Sequence, residues 1–108
     1  MIFEDLTVTE LKQKLDAKED FQLIDVRQPD EYGVARIEGS TLIPLGEIIS
    51  RMKELDSDRE AVILCKMGGR SAKAIEVLLQ SGYTGKLRNL RGGITAWSNE
   101  VDPKVPKY

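Results

Sequence analysis

Two kinds of hydrophobic pattern alternate along the chain. Short apolar runs, FQLIDV (21–26), TLIPL (41–45), AVILC (61–65) and KLRNL (86–90), predict strands. The third is almost wholly apolar and bounded by charge, as expected of a central strand covered on both faces. Between the runs, apolar residues recur at helical spacing. Thr9 is placed to cap a helix over Glu10–Ala17, where Leu11 and Leu15 lie one turn apart. DEYGVAR (30–36) follows Pro29, and proline favours the first turn of a helix. Residues 45–55 put Ile48, Met52 and Leu55 on one face. Residues 71–80 carry Ile75, Leu78 and Leu79 as a stripe, with Gly82 placed to end the helix. GGITAWSNEV (92–101) predicts a last short helix opened by glycines, with Trp97 turned into the core. This alternation implies an α/β domain with a largely parallel sheet.

The chain has 108 residues, enough for one domain with one core. That domain is expected over residues 1–101, followed by a tail, DPKVPKY (102–108), extended on the surface or frayed. The net charge is −2 with both signs interleaved, which excludes a broad nucleic-acid surface. Apolar runs are too short to span a bilayer, and the acidic start, MIFEDLTVTE, is unlike a secretory signal. A cytoplasmic protein without membrane or nucleic-acid partners is expected. There is one cysteine and no histidine, so an internal disulfide and a cysteine-based zinc cage are excluded, and no metal or other cofactor is expected.

That single cysteine stands in ILCKMGGRSAKAIEVLL (63–79), where an apolar strand runs through a glycine loop into a helix. In open parallel sheets ligands bind at such junctions. The first N–H groups of a helix have no intrahelical partner and carry the positive end of its dipole. Gly68 and Gly69 let the backbone curl around an anion, and Lys66 and Arg70 add two cations. Together these features favour a thiolate over a thiol at Cys65. Arg70 sits at the wrong end of the helix dipole, a cost of about 0.3–1 kcal/mol unless an anion compensates. Asp25 is the carboxylate nominated for that place, provided its strand neighbours the one carrying Cys65. Each feature alone has a plainer reading: a packed core cysteine, a turn, a solvated rim. Their conjunction points to a nucleophile.

Without histidine there is no Cys–His dyad, so imidazole-assisted protease and acyl-transfer chemistry is excluded. Two classes remain: sulfane-sulfur transfer through a persulfide, and phosphoester hydrolysis through a cysteinyl phosphate. The loop is C-x4-R, one residue shorter than the C-x5-R cradle of cysteine phosphatases, and a tighter ring of amides suits a single sulfur better than a phosphoryl group.

Three ordered motifs then show a family likeness over nearly the whole chain. LIDVRQPDEYGVARIEGSTLIPL, CKMGGRS and LRGGITAW resemble the three signatures of a single-domain rhodanese. One departure is Ala35–Arg36–Ile37, where the family often has Gly–His–Ile. The ARIEGSTLIPLGEI segment and the EVDPKVPKY tail are similar to rhodanese domains fused behind adenylating enzymes that load sulfur-carrier proteins. The resemblance implies a five-stranded, mostly parallel sheet flanked by helices on both faces. It implies that Cys65 carries a persulfide inside a loop of Lys66, Met67, Gly68, Gly69 and Arg70, and that Lys66 and Arg70 attract an anionic donor such as thiosulfate. Ser71 is either a plain N-cap or also a donor into the loop. Asp25 is expected to brace the loop, and Arg27 either braces the same region or pairs at the surface. A sulfur-carrier protein or an adenylating enzyme is the macromolecular partner implied. The rival readings are a non-catalytic docking module of the same fold and the phosphatase.

Overall fold

The computed structural model describes residues 4–108, with a five-stranded sheet in the order β1-β5-β4-β2-β3. The strands are β1 (Glu4–Leu6), β2 (Gln22–Asp25), β3 (Thr41–Leu42), β4 (Ala61–Leu64) and β5 (Leu87–Leu90), and every pair is parallel. The α-helices are α1 (Val8–Asp16), α2 (Pro29–Val34), α3 (Gly69–Gln80) and α4 (Gly93–Glu100). From β2 the chain passes through α2 to β3 on one side; from β4 it passes through α3 to β5 on the other. The two departures leave a crevice between the carboxyl ends of β2 and β4, the place where open α/β sheets hold ligands.

Strand alternation sorts the core into two layers. From the β4 segment, Ala61, Ile63 and Cys65 face a cluster that includes Ile24, Val26, Ile48, Ala74, Ile75 and Leu78. Val62 and Leu64 point the other way, toward Leu6, Leu11, Leu23, Leu90, Ile94 and Trp97. All four residues of β4 are buried, so the apolar run is indeed a central strand covered on both faces. Each large apolar side chain so buried contributes roughly 1.5–3 kcal/mol.

Several elements differ from the sequence expectation. The cap of α1 is Thr7, not Thr9. The Thr7 hydroxyl accepts the Glu10 N–H at 3.1 Å, and the Glu10 carboxylate accepts the Thr7 N–H at 2.9 Å. Thr9 has Lys12 three residues on, which offers no acceptor for this reciprocal pairing. Residues 45–55 form no α-helix but two 3-10 turns, Leu45–Glu47 and Met52–Glu54, closed by Ile48 N–H to Leu45 C=O (3.2 Å) and Leu55 N–H to Met52 C=O (3.1 Å). Ile48 and Leu55 are buried nonetheless, so the apolar face is kept while its hydrogen bonding is not that of a helix. TLIPL pairs as a strand only at Thr41–Leu42. The chain stays alongside β2 through Ile43 N–H to Asp25 C=O and Leu45 N–H to Val26 C=O, while Pro44 between them has no N–H to give. Helix α3 begins at Gly69, two residues before the expected start. The tail turns back at its start instead of running straight out: Asp102 N–H reaches Trp97 C=O at 2.9 Å and Val105 packs against the Leu11–Trp97 layer, while residues 106–108 lie exposed on the surface. Among the described residues, no helix is long and apolar enough to cross a membrane.

Candidate active site

Cys65 is the residue after β4, in the crevice at the strand ends, with only 1% of its surface exposed. Two residues of loop, Lys66 and the 68%-exposed Met67, carry the chain outward before Gly68 turns it into α3. Gly68 has φ = +115°, which a side chain would strain, and its N–H donates to Cys65 Sγ at 3.0 Å. The next N–H groups, of Gly69, Arg70 and Ser71, form the first turn of α3 and have no intrahelical acceptor. The sulfur therefore lies where the positive end of the helix dipole is strongest.

A second helix fixes the other side of the loop. The N–H groups of Ile94 and Thr95, at the start of α4, donate to the carbonyls of Cys65 (3.0 Å) and Lys66 (3.1 Å). The approach is so close that a Cβ on Gly93 would overlap the Cys65 carbonyl oxygen and lie 2.5 Å from that of Lys66. The paired glycines of LRGGITAW thus let one helix terminus clamp the loop that leads into another.

Ser71 is not the N-cap. Gly68 holds that position, and Ser71 lies buried in the first turn of α3. Its hydroxyl is within reach of the Gly68 carbonyl (3.1 Å), Asn89 Oδ1 (2.5 Å) and Cys65 Sγ (3.3 Å). Asn89 Nδ2 in turn donates to the Gly68 carbonyl at 3.3 Å. Asn89 is not among the residues the sequence predicts for the site; its only signal is an uncharged polar residue beside the buried Leu87 and Leu90 of KLRNL.

The anion opposite Arg70 is Glu31, not Asp25. Arg70 Nη1 and Nη2 donate to the two Glu31 oxygens at 2.6 and 2.8 Å. Glu31 Oε1 also accepts the Gln28 N–H at 2.9 Å, which holds the carboxylate at the start of α2. The Arg70 hydrogen bonds, with the Gln28 N–H and the charges of Arg70 and Arg27, lower the Glu31 pKa to about 2 against the effect of burial. The Arg70 pKa is raised, chiefly by Glu31, with smaller contributions from the charges of Cys65 and Asp25.

Asp25 does lie on the strand beside β4, paired with Leu64, but its carboxylate is taken by Arg27. It accepts the Arg27 N–H and Nε at 3.0 Å and Nη2 at 2.7 Å, with both side chains wholly inaccessible. Arg27 therefore does not pair at the surface. It also donates to the Ala35 carbonyl and, more weakly, at 3.4 Å, to that of Glu31. Asp25 and Arg27 thus brace α2, and α2 presents Glu31 to the loop. Apart from the small direct pull of its charge, Asp25 acts on Arg70 through this chain of contacts. Among the described residues, no group of three or more His, Cys, Asp and Glu side chains is arranged to hold a metal ion.

Known proteins carry the same architecture. Residues 7–100 match the rhodanese-like domain family. A sulfurtransferase of Allochromatium vinosum is 42% identical over 95 residues, covering 88% of each chain. The probable adenylyltransferase/sulfurtransferase MoeZ of Mycobacterium tuberculosis is 38% identical over 105 residues, which are 95% of this chain but 26% of that protein. The crystal structure of a rhodanese-like domain protein from Staphylococcus aureus superposes with a TM-score of 0.83 at 30% identity, covering 96% of this chain and 97% of that one. The chain belongs to the rhodanese-like domain family.

Proposed function

We propose that this protein is a sulfurtransferase that carries a sulfane sulfur as a persulfide on Cys65. The observation that carries this reading is the position of Cys65 Sγ, 3.0 Å from the Gly68 N–H at the amino end of α3 and 3.3 Å from the Ser71 hydroxyl. That environment suits a negatively charged sulfur, which is both the attacking group and the form in which the product is held. With thiosulfate as donor, the Cys65 thiolate attacks the outer sulfur, a new S–S bond forms, and the old one breaks to release sulfite. In the second step a thiophilic acceptor attacks the outer sulfur and regenerates the thiolate; cyanide leaves as thiocyanate. Neither step needs a proton shuttle, in keeping with a chain that has no histidine. Lys66, exposed on the loop, draws anionic donors, while Arg70, paired with Glu31, ties the loop to α2. The C-x4-R spacing favours sulfur over a phosphoryl group. By likeness to relatives named as an adenylyltransferase/sulfurtransferase and as a putative sulfur carrier protein, a sulfur-carrier protein or an adenylating enzyme is the macromolecular partner proposed.

Intact-protein mass spectrometry before and after exposure to a sulfane donor tests the reading. One added sulfur that cyanide removes, present in the parent and missing from Cys65→Ser, is the expected result. A Cys65→Ser protein that still converts cyanide to thiocyanate would defeat it.

A further inference from the structure

We propose that Glu31 sets donor choice at this site: by filling both arms of the Arg70 fork, it turns the loop away from small dianions such as thiosulfate and toward singly charged persulfides. The inference rests on the sulfurtransferase reading and goes beyond it, since the loop sequence alone offers Lys66 and Arg70 together to any anion.

A guanidinium presents its paired N–H groups in a geometry that grips two oxygens of one oxyanion. In this protein a carboxylate of the chain itself already has that grip, at 2.6 and 2.8 Å. Glu31 is not a loose surface group. Its side chain is 16% exposed, its Oε1 is held by the Gln28 N–H, and the charge of Arg27 lies behind it. Its carboxylate stays ionised throughout the neutral range, so it does not release Arg70 by taking a proton. The pair is neutral as a unit, which leaves exposed Lys66 as the loop's unneutralised cation. A dianion must therefore either displace a held carboxylate or bind beside its negative charge. A singly charged persulfide carries half that charge and meets correspondingly less repulsion.

The experiment compares two donors, thiosulfate and 2-hydroxyethyl persulfide, on the parent and on Glu31→Gln, scored as the rate of sulfur addition to Cys65 over donor concentrations that run from subsaturating to saturating. Glutamine keeps an acceptor for the Gln28 N–H, so the start of α2 is preserved. The ratio of thiosulfate to alkyl-persulfide kcat/KM is expected to rise about tenfold, roughly 1.4 kcal/mol of differential binding, with the change in the thiosulfate KM and not in kcat. Glu31→Ala, which deletes the charge by another route, should move the ratio the same way, and thermal melts show that both variants are folded. A merely structural role would depress both donors together and leave the ratio where it was, and that result would overturn the inference alone. Sulfur uptake from neither donor, even by the parent, would overturn the sulfurtransferase reading and this inference with it.

Discussion

Replacing Gly93 with alanine tests how the loop is held. Two effects combine at this position. The backbone has φ = +57°, and an L-residue in that left-handed region costs roughly 1–2 kcal/mol. In addition, the new methyl would collide with the carbonyls of Cys65 and Lys66, which are backbone atoms and cannot swing aside as a flexible side chain does. Relief requires α4 to retreat, and retreat breaks the bonds from Ile94 and Thr95 to those carbonyls. At about 0.5–1.5 kcal/mol each, the two bonds add roughly 1–3 kcal/mol, for a total near 2–5 kcal/mol. Gly82→Ala is the control. Its φ is +90° but a methyl there meets nothing within 4 Å, so it carries backbone strain alone. Urea unfolding of the three proteins gives the comparison, with the midpoint reporting stability provided the slope is constant. Gly93→Ala should lose about 1–3 kcal/mol more than Gly82→Ala, and Cys65 alkylation should change in Gly93→Ala alone. Equal losses in the two variants would show that α4 does not clamp the loop.

Arg27→Met should cost about 3–5 kcal/mol in urea unfolding because it strands a buried carboxylate, and adding Asp25→Leu should recover part of that loss. Ser71→Ala should slow sulfur loading of Cys65 several-fold in the mass-spectrometric assay, because the hydroxyl 3.3 Å from Sγ is gone. Thr7→Ala should lower stability by about 1 kcal/mol, while sulfur loading stays at the parental rate. The Glu31 pKa is lowered on folding, so its contribution to stability is present above the unfolded carboxylate value of about 4.3 and fades as pH falls toward 2. The acid limb of a stability-versus-pH curve should therefore be shallower in Glu31→Gln than in the parent, and identical limbs would contradict the pairing.

The sequence made the central features of this fold readable because each carried a redundant signal. AVILC was apolar on both faces, as only a central strand is, and the loop after it combined glycines, cations and a helix start. Where a single signal had to decide, the outcome was less faithful. β1 has three residues and one buried side chain, Leu6, so alternation had almost nothing to count, and its pairing with β5 brings together positions more than eighty residues apart. Ile48, Met52 and Leu55 share a face across the 3-10 turns Leu45–Glu47 and Met52–Glu54 as they would in an α-helix, because spacing marks which side is buried and not which carbonyl each N–H chooses. Asp25 was the wrong partner for Arg70 for a related reason. Proximity to β4 was inferred correctly, but Arg27, two residues away, claims that carboxylate locally, whereas Glu31 meets Arg70 across thirty-nine positions. Asn89 was invisible for want of any pattern; only the packing of β5 beside β4 brings it to Ser71 and the loop.

The depth at which Cys65 sits has a bearing on how the protein survives an oxidising environment. Two such molecules cannot join through their only thiols, since a disulfide requires those atoms to come within about 2.05 Å and each is sunk beneath its own loop. In the proposed persulfide the outer sulfur would stand one S–S bond, about 2.05 Å, from Sγ. The protein without added sulfur thus shields its thiol from other macromolecules, whereas the proposed persulfide would hold its transferable atom one bond farther from the backbone.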